Sequence, residues 1–208
     1  IGIAGGSGSG KTVVARTIVR ELGSKRVVII DQDSYDKDLE QVPFRDREAR
    51  NFDHPDAFDS DLMRQHLRDL LEGHDIEQPV YDYSQHRRTN ETRRISDHLV
   101  IVLEGILIFH DPELRALMDI KLYVDADSDV RLIRRLRRDL TERGRSVDSI
   151  LRQYEESVRP MHLQFVLGIK NALPADEHTL DILVGELKRV APDATWSALG
   201  TGRHQLAV

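Results

Sequence analysis

The chain opens on IGIAGGSGSGKTVVARTIVR, and no other stretch restricts the possible fold as much. Four mostly apolar residues, Ile1 to Ala4, read as a short buried strand. They run directly into Gly5-Gly6-Ser7-Gly8-Ser9-Gly10-Lys11-Thr12, a complete G-x-x-x-x-G-K-[ST] phosphate-binding loop. Val13, Val14, Thr17, Ile18 and Leu22 then recur at helical spacing, so the loop stands between a strand and a helix. Consecutive backbone N–H groups can cradle the dense charge of a triphosphate only where no Cβ blocks the approach, which the glycines allow. The helix N-terminus adds its dipole, Lys11 can reach the β- and γ-phosphates, and the Thr12 hydroxyl can ligate Mg²⁺. A glycine turn that merely joined strand to helix would not need the Lys-Thr pair.

The element predicts an α/β fold with a mainly parallel sheet between helices. A length of 208 residues fits one domain over 1–208. Thirty basic against 36 acidic residues give a net charge of −6, which argues against a general nucleic-acid or membrane surface. The absence of cysteine excludes disulfides and cysteine-ligated metals and fits a cytoplasmic protein. No apolar run reaches the length of a membrane span, and no charged-then-apolar segment opens the chain.

Val27-Val28-Ile29-Ile30 is a β-branched run suited to a strand buried on both faces, and it ends in Asp31-Gln32-Asp33-Ser34-Tyr35. Ligands of open α/β sheets bind at the carboxyl ends of strands, so Asp33 would face the bound phosphates; capping a turn is the alternative use of an Asp there. The charged, poorly periodic segment 36–51 reads as a mobile surface loop. Asp59 or Ser60 can cap a helix from about Ser60 to Leu71. Asp53, His54 and Asp56 lie too far upstream for that, which leaves a sugar-hydroxyl contact open.

Pro79 to Tyr83 reads as a short strand leading to His86. Tyr81, Tyr83 and His86 could flank a planar base, or they could be surface aromatics of a hairpin. Leu99 to Leu103 is the strongest buried-strand signal, and it ends at Glu104, an acid placed near any Mg²⁺ on the loop. After a fourth strand at 120–124, a helix carries Leu132, Ile133, Leu136 and Leu140 on one face and Arg131, Arg134, Arg135 and Arg138 on the other. Arg143 and Arg145 follow. Such a run is usually a solvated face, yet in a net-acidic chain with a triphosphate loop it also suits a lid over phosphoryl groups. Gln153 lies on the next helix, which is expected to break or kink at Pro160.

The segments GGSGSGKT, DQDSY, NFDHPDAFD, PVYDYSQHRRT, VLEGIL, KLYVD, RRLRRDLTERGR and QYEESVRPMHLQF together resemble the uridine kinase (uridine–cytidine kinase) family over about 1–166, and weakly near 179–190. The resemblance implies a P-loop NTPase-type three-layer α/β/α fold, with a nucleoside-binding hairpin region at 80–98, an arginine lid at 127–146 and an uninformative tail at 191–208. It implies transfer of the γ-phosphate of ATP or GTP to the 5′-hydroxyl of uridine or cytidine, with Mg²⁺. Asp33 then matches the acceptor of the 5′-OH proton, which also faces the metal, and Asp53 the ribose contact. Tyr81 and His86 match the pyrimidine contacts. Arg135, Arg138, Arg143 and Arg145 match the arginines around phosphates and nucleoside, with Arg138 catalytic and Arg143 on the donor. Gln153 matches a ribose-side contact, and Lys11, Thr12 and Glu104 match the phosphate and Mg²⁺ groups. Homo-oligomers, often tetramers, are implied by the same resemblance.

Two departures stand out. The family usually has a second aromatic residue after QDSY, where this chain has Asp36, so a ring that helps wall the nucleoside pocket is replaced by a charge. The family also follows HLQF-V with a Pro-Thr-Lys-rich turn and a last apolar strand, whereas Val166-Leu167-Gly168-Ile169-Lys170-Asn171 leads quickly to Pro174. Two other readings therefore stay open: a kinase for another small hydroxyl acceptor, such as phosphoribulose precursors or pantothenate, and a nucleotide-binding regulatory protein without catalysis.

Overall fold

The computed structural model describes residues 1–22, 27–48, 50–83 and 85–168. The elements run β1 (Gly2–Ala4), α1 (Lys11–Leu22), β2 (Val27–Asp31), α2 (Phe44–Glu48), α3 (Ser60–Leu71), β3 (Ile76–Asp82), β4 (Arg87–Ile95), β5 (Val100–Gly105), α4 (Pro112–Ala116), β6 (Lys121–Tyr123), α5 (Ser128–Glu142) and α6 (Val147–Gln153). Beyond α6 the chain stays helical through two π segments, Tyr154–Val158 and His162–Val166, on either side of an α turn at Arg159–Met161. The break expected at Pro160 is therefore absent: the i→i+5 turns absorb the missing N–H and the ring without ending the helix.

Four strands form a parallel sheet in the order β2-β5-β1-β6. Their apolar runs are continuous because both faces are covered. Ile3 and Val102 pack with Val14, Ala15 and Ile18 of α1 on one side. Ala4 and Leu103 pack with Met63, Leu67 and Leu70 of α3 and with Phe109 and Leu114 on the other. The three-layer α/β/α arrangement is the expected one. Register fixes what lies at the carboxyl edge, since Asp31 sits opposite Glu104 and Ala4 opposite Gly105.

Three local expectations change. The hairpin starts at Ile76 rather than 80, as β3 and β4 pair from Ile76↔Ile95 to Asp82↔Arg87. The segment after Asp36 is tied down rather than loose: Arg47 donates to the carbonyls of Val42 (2.6 Å), Glu40 (2.9 Å) and Gln85 (2.9 Å), and Leu39 is buried. On α5 the expected faces hold only in part: Arg134 is exposed and Leu132 and Leu136 are half-buried, but other positions are reversed. Ile133 and Leu140 are 48% and 43% exposed, while Arg131, Arg135 and Asp139 are buried at 6%, 5% and 0%. Arg135 can turn inward because a carboxylate and side-chain amide and hydroxyl oxygens meet it there, and Arg131 because it donates to the Ala126 carbonyl at 3.1 Å. The strand expected after Val166, the helix near 179–190 and the tail 191–208 lie outside the described residues, apart from residues 167–168, where the helix continues.

Candidate active site

The loop Gly5 to Thr12 leaves β1 and enters α1. Gly8 (φ 80°) and Gly10 (φ 103°) adopt the left-handed backbone that favours glycine, and a Cβ on Gly8 would also meet the Arg131 carbonyl oxygen at 2.3 Å. Ser9 N–H donates to the Gly6 carbonyl (3.0 Å), and Arg134 holds the Ser9 carbonyl at 3.1 Å, which fixes the turn from two sides. At its end Thr12 Oγ1 donates to Glu104 Oε1 at 2.7 Å. Burial raises the Glu104 carboxyl, and the Lys11 ammonium and this hydrogen bond oppose the shift.

One cavity beside the loop collects Ser7, Lys11, Asp33, Asp53, Tyr81, His86, Arg135, Arg138, Arg143, Arg145 and Gln153, so eleven of the residues singled out in the sequence meet at one place. Thr12, on the first turn of α1, and Glu104, near the end of β5, are not in its lining. The acids after β2 take different places. Asp31 takes the capping role, accepting from Ser34 N–H (3.0 Å) and Ser34 Oγ (2.8 Å), and Asp33 on the resulting 3₁₀ turn faces the cavity. His54 and Asp56 prove to be local: the His54 ring accepts from Asp56 N–H at 3.1 Å to cap the turn Pro55–Ala57. Only Asp53 of that trio enters the site, accepting from Ser157 Oγ at 3.1 Å. Its carboxyl is raised by burial, against the pull of Arg135.

The arginines are organised by Asp139, which sequence reasoning does not single out, because an acid within an arginine-rich helix reads as a solvated partner. Its fully buried carboxylate lies 2.7 Å from Arg138, 3.5 Å from Arg145, and 3.7 Å from both Arg135 and Arg143. Arg135 also donates to Ser7 Oγ and to Gln153 Oε1, each at 2.7 Å, and Arg145 donates to the same Gln153 oxygen at 2.7 Å. Burial lowers both Arg135 and Arg145, and Asp139 works against it. Four guanidiniums around one carboxylate leave an excess of positive charge next to the loop, which phosphoryl oxygens can neutralise.

The opposite wall is aromatic. His86, at a positive φ of 50°, stacks on Phe52 (5.0 Å, 20°), and Tyr81 meets Tyr83 edge-on at 5.4 Å. Arg143 lies over the Tyr83 ring at 4.9 Å, a contact that links the lid to the hairpin. Tyr83 was one of the aromatics read from the sequence as able to flank a base, whereas Phe52 stood out only as an aromatic within a motif segment. Asp36 lines this wall too. Burial, with Asp33 and Asp53 beside it, pushes its carboxyl up to about 9 against the pull of Arg88 and Arg143. The residue expected to put a charge in the pocket is thus a neutral acid at pH 7.

A family model described as phosphoribulokinase / uridine kinase matches residues 1–172. The chain belongs to that family. It is 46% identical over 197 residues to a uridine kinase of Clostridium botulinum (strain Langeland), covering 91% of this chain and 96% of the relative. It is 53% identical over 166 residues to a uridine kinase of Halalkalibacterium halodurans, covering 80% and 79%. Among solved structures the fold is similar to a D-glycerate 3-kinase of Cryptococcus neoformans (TM-score 0.60, 17% identity, 81% and 79% covered). It is also similar to phosphoribulokinase of Rhodobacter spheroides (TM-score 0.52, 19% identity, 78% and 67% covered). A second model, described as beta-keto acid cleavage enzyme, matches residues 145–208, and this stretch contains the departure noted after Val166. Among the described residues no helix is long and apolar enough to cross a membrane.

The site also fits a magnesium ion. Its donor set is a pair of hard oxygens, Thr12 Oγ1 and Glu104 Oε1, 2.7 Å apart at the end of the phosphate loop.

Proposed function

We propose that the protein is a cytoplasmic nucleoside kinase that transfers the γ-phosphate of ATP or GTP to the 5′-hydroxyl of uridine or cytidine, giving UMP or CMP. The observation that carries the reading is the two-sided cavity. One side is a phosphate loop with Lys11 and a cluster of arginines, and the other holds Asp33, Asp53, Tyr81 and His86. The identity to uridine kinases over most of the chain supports the acceptor.

In this reading the loop N–H groups and Lys11 bind the donor phosphates, and Arg138 and Arg143 meet the charge that develops on the transferred group. Thr12 and Glu104 would hold Mg²⁺, which when bound would neutralise charge on the donor phosphates. Asp53, Gln153, Arg135 and Arg145 hold the ribose side, and Tyr81 and His86 the base. Asp33 orients the 5′-hydroxyl and takes its proton as that oxygen bonds to the γ-phosphorus. The bond to the bridging oxygen breaks, and the diphosphate leaves. Incubation with uridine and ATP followed by mass analysis tests the assignment: a uridine 5′-monophosphate product is expected, and it is lost in Asp33→Asn.

A further inference from the structure

The backbone of Asp36 is fixed on three sides. Its N–H donates to the Asp33 carbonyl (3.2 Å), its carbonyl accepts from Arg88 Nε (2.9 Å), and the residue bridges to Phe58. Its side chain is held differently. Asp36 is 6% exposed and lines the cavity with Asp33 and Asp53, yet its Oδ1 has no hydrogen-bond partner among the described residues. No cation among the described residues pairs with the carboxylate either; Arg88 bonds its carbonyl and salt-bridges Asp59 instead. Tyr81, 8% exposed, lines the same cavity, and its hydroxyl also lacks a partner among the described residues. Buried polar atoms in folded proteins are nearly always paired, so two orphans on one binding cavity point to a bond completed by what the cavity takes up.

We infer that Asp36 is a specificity-determining residue: its carboxyl accepts a hydrogen bond from an N–H on the base of the nucleoside, and the Tyr81 hydroxyl bonds the adjacent acceptor of the same ring edge. The inference rests on the nucleoside-kinase reading and narrows it. Cytosine carries an N–H beside a ring nitrogen acceptor, and uracil an N–H beside a carbonyl, so both fit the pair. An aromatic ring at this position would hold a base by stacking, which every base can satisfy. A carboxyl instead rejects a ring that brings no donor, because the site's own buried group is then left unpaired.

The test compares kcat/KM of the full chain for cytidine, uridine and pyrimidin-2-one riboside, which is cytidine without its 4-amino group and has no base N–H. The wild type favours cytidine and uridine over this probe by about tenfold or more. Asp36→Leu brings all three within about twofold of one another, whereas Asp36→Asn, which keeps an acceptor oxygen, retains most of the preference. An Asp36→Leu enzyme with the wild-type ratios overturns the inference. So does a wild type that uses the probe as well as cytidine, a comparison that needs no variant to fold. A wild type that phosphorylates no nucleoside at all overturns the nucleoside reading itself.

Discussion

Thr12 donates its hydroxyl hydrogen to Glu104 Oε1 at 2.7 Å, joining residues 92 positions apart in the chain. The bond ties the start of α1 to the end of β5 and presents two hard oxygens where the phosphate loop ends. Glu104→Gln keeps the shape and removes the charge. A rate titration with Mg²⁺ should show the half-saturating concentration rising by about tenfold or more, with the KM for nucleoside little changed.

Asp139 is the common counter-charge of Arg135, Arg138, Arg143 and Arg145. Its replacement by Asn leaves four guanidiniums facing one another in a desolvated site. Removing one partner of a buried charged cluster costs about 3 kcal/mol or more, so thermal melting of Asp139→Asn should fall clearly below wild type. Inorganic triphosphate should restore more stability to the variant than it adds to the wild type, because it supplies the missing negative charge.

Much of the fold was legible because strands covered on both faces are written as unbroken apolar runs, as in Val27 to Ile30 and Leu99 to Leu103. The loop and the acids after β2 and β5 were legible for a related reason: strand ends set where chemistry sits. The α5 faces were not. Hydropathy sends arginine to water, and the opposite outcome here depends on Asp139, Gln153 and Ser7 converging from three places in the chain. The protonation of Asp36 was equally hidden: Asp33 is close in sequence, but the burial that contributes most and the second acid, Asp53, depend on how distant segments such as the one at Phe58 fold against it.

Asp33 faces the cavity while Asp31 does the capping, so the two acids can be separated by experiment. Asp33→Asn should lower kcat by about 10² to 10⁴-fold while the KM for ATP stays within about threefold. Asp31→Ala, which removes the capping oxygen, should act on melting temperature first, through the turn that Asp31 caps.

Asp36 has a folded pKa of about 9, far above the ordinary carboxylate value of 3.8. Between those two values the unfolded chain has released the proton and the folded chain still holds it, so stability contributed by this group falls as pH rises through the window. Asp36→Asn cannot ionise and escapes the penalty. Its melting temperature relative to wild type should therefore increase steadily from pH 5 to pH 8, and a difference independent of pH would contradict this assignment.

The most direct measurement is ADP release with Mg²⁺ and ATP in the presence of uridine, of cytidine and of no acceptor. If the cavity joins a donor site to an acceptor site through Asp33, either nucleoside accelerates release by orders of magnitude over the acceptor-free rate, and Asp33→Asn removes the acceleration. Equal rates under all three conditions would reduce the protein to an ATPase and contradict the account.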